Sequence, residues 1–322
     1  MTDQVRLALK NIILTAGQLQ AGERFLVVSD DNTKSIGDLF HSFCTNNKLQ
    51  CRHVTIPPLV VHGSEPPEKL GKLFGEFNLI AGLTSFSMAH SQARKDFTNA
   101  GGRYLSLPDF DMDVLRSKAL EVDFFQQRKL AARIAALLSQ TNKVRVTSAL
   151  GMDLELTIKG RVPNNCDCIL DYPGSMASPP DIEVNVAPLE TETKGVIVVD
   201  SSIPHPVFGL LKTPMKLTFE NSKVSKIESD DAEYIKKLEG LFTKFGDNAR
   251  IVGELGFGLN PLAKPTGKML EDEGAMGYVH FGLGSNITIG GQNRVSFHLD
   301  CVCSAPDIWF DDVLIMQKGD YL

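Results

Sequence analysis

Two histidines in the last quarter of the chain stand where metal ligands would stand. His280 lies in Tyr278-Val279-His280-Phe281-Gly282-Leu283-Gly284, and His298 lies in Phe297-His298-Leu299-Asp300. The chain has only seven histidines, so two in such settings call for an explanation. On a strand, residues two apart share a face. His298 and Asp300 therefore aim an imidazole and a carboxylate at one point, while Phe297, Leu299 and Cys301 face the other way. A buried His–Asp hydrogen bond satisfies the same spacing, so neighbouring donors must decide between the two readings.

Further carboxylates precede them. Pro180-Asp181-Ile182-Glu183-Val184-Asn185-Val186-Ala187-Pro188 sets Glu183 between prolines, ahead of the acidic stretch Glu190-Thr191-Glu192. Gly253-Glu254-Leu255-Gly256-Phe257-Gly258-Leu259-Asn260-Pro261 sets Glu254 on a glycine-rich strand, and Leu270-Glu271-Asp272-Glu273-Gly274 adds a third acidic segment. In this order, over roughly residues 180–300, the segments resemble the aminopeptidase T family of metallopeptidases. They also resemble one branch of it, the 2,5-dihydroxypyridine dioxygenases.

The resemblance implies that Glu183, Glu254, His280, His298 and Asp300 surround metal, with Glu273 beside it. Three carboxylates and two imidazoles suit two divalent ions bridged by a carboxylate. Such a pair, of Zn, Co or Mn, generates a hydroxide nucleophile and polarises a carbonyl. Glu273 is then the general base that shuttles the proton of bound water. The peptidases carry a tyrosine seven residues after the first histidine, where this chain has Ile287. Gly258-Leu259-Asn260-Pro261 and Val279-His280-Phe281-Gly282-Leu283-Gly284-Ser285-Asn286 look more like the dioxygenase branch. There one Fe(II) is held by two histidines and a carboxylate, a count that His280, His298 and Asp300 supply. Retention of Glu183 and Glu254 tips the expectation to a hydrolase acting on a small peptide or amide. The alternative is a non-haem Fe(II) dioxygenase opening a 2,5-dihydroxypyridine-like N-heterocycle.

Other candidates have less support. His205, in Ile203-Pro204-His205-Pro206, is expected in a rigid loop at the substrate mouth, although an ordinary loop histidine fits too. His90 falls where a strand of an open α/β sheet enters its helix, the end at which ligands of such sheets gather. His41, His53 and His62 have no supporting neighbours. Lys212 and Arg294 are candidates to neutralise a substrate carboxylate. Cys166-Asp167-Cys168 and Cys301-Val302-Cys303 read as buried free thiols on strands, since six cysteines make no disulfide framework here.

The composition is that of a globular protein, with 43% apolar and 22% charged residues. A net charge of −6 and a pI near 5.7 argue against a nucleic-acid surface. No apolar run reaches the length of a membrane span, and the N-terminus lacks a signal-peptide core. The expectation is a cytoplasmic enzyme of small molecules or short peptides. It is expected to be a homodimer, as the resemblance implies, with an exposed apolar run near Trp309-Phe310 as a possible contact.

The elements that must position these residues fall into two halves. Residues 1–142 alternate helix and strand: a helical pattern over Val5–Leu19, strands at 24–29, 52–56, 79–83 and 103–107, and helices between them. Such alternation predicts right-handed crossovers and a doubly wound parallel sheet. No G-x-G-x-x-G follows a strand, so a dinucleotide site has no support. A long helix over 122–140 closes this α/β domain. Residues 143–322 read as hairpins and short strands with few helices, roughly 231–245 and 265–274, which predicts an α+β metal-binding catalytic domain. Glycines crowd residues 246–291, permitting close backbone approach to a site.

Overall fold

The computed structural model describes all 322 residues. The chain forms two compact units, Met1–Arg128 with Cys168–Pro180, and Lys129–Asp167 with Asp181–Leu322. The first is built on a five-stranded sheet in the order Gln50–Ile56, Arg24–Asp30, Leu79–Leu83, Arg103–Ser106, Met176–Ala177. All its neighbouring strands are parallel. Leu79–Leu83 and Arg103–Ser106 are buried throughout, because helices cover both faces of such a sheet, which is why these strands read as unbroken apolar runs. Arg24–Asp30 has Gln50–Ile56 on one side and Leu79–Leu83 on the other, the reversal of a doubly wound fold. The predicted helices are present as Lys34–Asn46 and Gln92–Asn99, the latter capped by the Ser91 hydroxyl on the Arg94 amide.

The division expected after residue 142 differs from the one observed. The boundary falls within helix Phe124–Leu138, and residues 168–180 return to the first unit. The cause is Met176–Ala177, which pairs in parallel with Tyr104–Leu105 as a fifth strand. Two residues are too few to show a periodic pattern.

The second unit holds two antiparallel sheets. The eight-stranded one runs Lys223–Ser229, Met215–Glu220, Lys194–Val199, Asp153–Thr157, Lys143–Thr147, Asp307–Phe310, Val313–Gln317, Asp320–Tyr321. The seven-stranded one runs Gly209–Leu210, Ser202–Ile203, His298–Ser304, Tyr278–Gly284, Val252–Gly258, Glu183–Val186, Asn164–Cys166. One face of the latter carries Val184, Leu255, Phe257, Val279, Phe281, Leu283, Leu299 and Cys301, all buried. Phe257 meets Phe310 of the eight-stranded sheet edge to face at 5.7 Å. The run near Trp309-Phe310 is therefore not the exposed contact that was expected: Phe310 belongs to the core, and the Arg145 guanidinium lies over the Trp309 ring.

Helix Ala232–Phe245 matches its expectation and starts from an Asp231 side-chain cap. The helix expected over 265–274 shrinks to one turn, Met269–Asp272. No helix is long and apolar enough to cross a membrane.

Candidate metal centre

The opposite face of the seven-stranded sheet carries every metal-ligand candidate. Alternation sets Glu183 and Asn185 on one strand, Glu254, Gly256 and Gly258 on the next, then His280, Gly282 and Gly284, then His298 and Asp300. Register aligns them in rows: Asn164, Asn185, Gly256 and His280 form one, and Glu254, Gly282 and Asp300 another. Gly284 stands opposite His298. A shift between Val252 and Glu254 pairs Val252 with Leu283 of the apolar face, although Glu254 two residues on faces the donors.

Glycine at two of these positions is a packing requirement. A Cβ on Gly256 would lie 2.0 Å from His280 Nε2, and one on Gly282 would lie 2.7 Å from His298 Cε1 and 2.8 Å from Glu254 Cβ. Each imidazole lies over a glycine of the neighbouring strand. Such space on an otherwise close-packed sheet is a cradle for the rings and for what they hold.

The donors gather in two groups. Glu183, Glu254 and His280 bring their ligand atoms within 4.8 Å of one another, and so do Glu254, His298 and Asp300. Glu254 is common to both. Its Oε1 lies 3.8 Å from His280 Nε2 and its Oε2 lies 3.3 Å from His298 Nε2. His280 Nε2 is also 3.1 Å from Glu183 Oε2, and His298 Nε2 is 3.1 Å from Asp300 Oδ1. The expected trio of His280, His298 and Asp300 is not one compact group; Glu254 lies between its histidines. The Glu183, Glu254, His280 and Asp300 side chains are buried, whereas that of His298 is 37% exposed and marks the open side.

Surrounding charges set the protonation of the metal-free centre. Burial disfavours charge on His280, but Glu183 and Glu254 outweigh it and hold the imidazole well above its ordinary value. Burial acts likewise on His298, and Asp300 and Glu254 raise it well above. For Glu254 and Asp300, burial pushes upward while the imidazoles bring both below the usual carboxylate range. Glu273 behaves in the opposite way. Burial raises it, the carboxylates of Asp300, Asp181 and Glu183 raise it further, and a hydrogen bond with Asp300 acts the same way. Asp181 is pushed up by burial and by Glu183. Buried Glu183 Oε2 and Glu273 Oε1 have no hydrogen-bond partner. Oxygen donors left unsatisfied beside two imidazoles fit a divalent cation.

The remaining candidates sort by location. Asp272, next to Glu273, is a structural tether: it accepts from Ser202 Oγ at 2.5 Å and from the Thr266 and Gly267 amides. His205 lies in neither donor group; its Nδ1 accepts from the Val207 amide and its ring meets Phe208. His90 is exposed in the first unit. His53 binds Ser29 Oγ at 2.7 Å and Asp38 at 3.2 Å, and His62 accepts from the Ser87 amide. Both are structural links within the first unit. No cysteine joins a metal-ligand group, and burial pushes the Cys301 and Cys303 thiols up.

Sequence reasoning missed the groups that aim the ligands. Asn185 Nδ2 donates to Glu183 Oε1 at 2.6 Å, and Asn164 Nδ2 donates to Asn185 Oδ1 at 2.8 Å. His298 Nδ1 lies 3.0 Å from the Ser285 carbonyl. The spacing of Glu183 and Asn185, two apart between prolines, was the available signal for the first.

Comparison with known proteins places this geometry. The chain matches the model of the family NicX, 2,5-dihydroxypyridine 5,6-dioxygenase, over residues 13–322. It is 26% identical over 252 residues to the 2,5-dihydroxypyridine 5,6-dioxygenase of Pseudomonas putida KT2440, covering 74% of this chain and 69% of that one. A solved structure of 2,5-dihydroxypyridine dioxygenase from Pseudomonas putida KT2440 superposes with a TM-score of 0.81 at 19% identity, over 100% of this chain and 98% of that one. Wild-type AmpT from Thermus thermophilus superposes with a TM-score of 0.71 at 13% identity, over 99% and 98%. The structural likenesses establish the shared mixed α/β fold, with one parallel sheet and antiparallel sheets.

The expectation of an aminopeptidase-type hydrolase is overturned, because the family match, the sequence relative and the higher-scoring of these two structures are all dioxygenases. Glu183 and Glu254 misled because carboxylates beside imidazoles suit one metal ion as well as two and so do not distinguish the chemistries. Ile287, exposed in a short turn at Ile287–Ile289, supplies no phenol where the peptidases have one.

Proposed function

Since the chain belongs to the 2,5-dihydroxypyridine 5,6-dioxygenase family, we propose that it is a metal-dependent dioxygenase that opens the ring of a dihydroxylated N-heterocycle. The family match over residues 13–322 carries this reading. The donor groups Glu183, Glu254, His280 and Glu254, His298, Asp300 support it, since imidazole with carboxylate suits Fe(II) that keeps positions open. Bound there, ferrous iron supplies the one-electron chemistry with oxygen that a closed-shell ring cannot undertake alone.

The protein's own part is orientation and proton handling. A carbonyl only accepts, so the Ser285 oxygen fixes the hydrogen of His298 on Nδ1. The other ring nitrogen then points into the centre. The glycine cradle holds both imidazoles in one orientation. Glu273, buried beside Asp300 and pushed upward by it, is placed to exchange a proton with a ring oxygen or the opened product.

The test is substrate loss. Protein reconstituted anaerobically with Fe(II) and then given air should remove the ring absorbance of 2,5-dihydroxypyridine. Stripped protein, and protein kept anaerobic, should not. An intact ring with loaded, aerated protein would overturn the reading.

A further inference from the structure

We propose that Asn185, itself held by Asn164, is a positioning residue that aims the second oxygen of Glu183 into the metal centre. The inference rests on the reading of Glu183 as a metal ligand.

The three side chains form a relay whose direction the chemistry dictates. A ligating carboxylate only accepts hydrogen bonds, so Asn185 must turn its amide nitrogen toward Glu183. Its carbonyl oxygen then faces away and needs a donor, and Asn164 must turn its own nitrogen inward. That is the observed order, Asn164 Nδ2 to Asn185 Oδ1 at 2.8 Å and Asn185 Nδ2 to Glu183 Oε1 at 2.6 Å. The sheet enforces it. Asn164 and Asn185 are register partners on adjacent antiparallel strands, and Glu183 and Asn185 share a face two residues apart.

The relay occupies one oxygen of Glu183 and leaves the other facing His280. Oε2 is buried, has no hydrogen-bond partner, and lies 3.1 Å from His280 Nε2. Asn185 is 4% exposed and cannot swing out to solvent. Without its donor, Glu183 Oε1 would become a second unsatisfied oxygen, free to rotate toward His280 or away from the centre. Partners of this kind typically contribute 10–100-fold to metal affinity.

The test uses the full chain, stripped with a chelator and titrated with Co(II) while its visible absorption is followed. Asn185→Ala should weaken binding roughly 10–100-fold and alter the cobalt spectrum. Glu183→Gln should also weaken binding, and the double variant should be no weaker than Glu183→Gln alone, since one acts through the other. Should Asn185→Ala fail to fold, Asn164→Ala on the outer strand should weaken binding less than Glu183→Gln while leaving Asn185 in place. Wild-type affinity in Asn185→Ala or Asn164→Ala, beside a weakened Glu183→Gln, would overturn the relay. Full additivity in the double variant would overturn it too. Wild-type affinity in Glu183→Gln would instead remove Glu183 from the ligand set and leave the relay nothing to position.

Discussion

His298 sits with Nδ1 3.0 Å from the Ser285 carbonyl and Nε2 3.1 Å from Asp300 Oδ1, so both ring nitrogens are fixed by oxygens. The ring is oriented before any ion arrives. Replacing His298 or Asp300 by Ala removes a donor from a group that also depends on Glu254. Each variant should lose bound metal and fall to background activity while keeping its circular dichroism spectrum, because the apolar core lies on the other face of the sheet. Full metal content in His298→Ala would remove this residue from the centre.

The glycine cradle gives a second test. Gly256→Ala places a methyl 2.0 Å from His280 Nε2, so the ring must leave its place. Overpacking of this kind costs about 1–3 kcal/mol, and metal should be lost along with stability. Gly75→Ala, where an added Cβ meets nothing within 4 Å and φ is ordinary, is the control and should keep both. The comparison is read by metal analysis and thermal melts. Metal retained in Gly256→Ala would show that the cradle is dispensable.

Protons should leave as metal enters. His280 and His298 lie well above their ordinary value in the metal-free protein, the carboxylates outweighing burial. Their charged forms stabilise the metal-free fold below the ordinary histidine value, and that contribution is lost as pH rises through the raised values. Metal requires neutral imidazoles, so affinity should rise with pH from 6 to 8 and binding should release protons. Calorimetry in two buffers of different ionisation enthalpy measures the release. Identical heats in both would contradict the assignment of protonated histidines.

The loop between the two histidine strands should be the weak point of the second unit. Glu190 accepts from Arg161 Nη2, from the Gln292 amide and from Asn286 Nδ2, and Asn286 in turn accepts from the Asn293 amide. Asn293 then donates to the Gly284 carbonyl at the end of the His280 strand. Glu190→Ala leaves Arg161 largely buried without its partner, which should destabilise by roughly 3 kcal/mol and loosen the Ser285 carbonyl behind His298. Denaturant midpoints measure the first effect, and metal affinity the second. An unchanged midpoint would show that the network carries no stability.

Much of this was legible in the sequence where local pattern is decisive. The strand at Leu79–Leu83 is an unbroken apolar run, the His298–Asp300 pair follows from a period of two, and Glu183, Glu254 and His280 converge on one sheet face in the order of the resemblance. What stayed hidden depends on register. Nothing local says that Gly256 lies under His280, that Glu254 falls between two donor groups, or that Asn164 meets Asn185 across a strand pair. The choice of chemistry was hidden because Glu183 and Glu254 were read as signs of a two-metal hydrolase, against Ile287 and the segments 258–261 and 279–286.

The most direct measurement of the central claim is the fate of molecular oxygen. The iron-reconstituted protein is given 2,5-dihydroxypyridine under ¹⁸O₂ in ordinary water, and the product is weighed by mass spectrometry. A dioxygenase should place both atoms of one oxygen molecule in the opened ring, apart from any exchange with water, with one O₂ consumed for each ring. Product carrying oxygen only from water, or peptide cleavage without oxygen uptake, would contradict it.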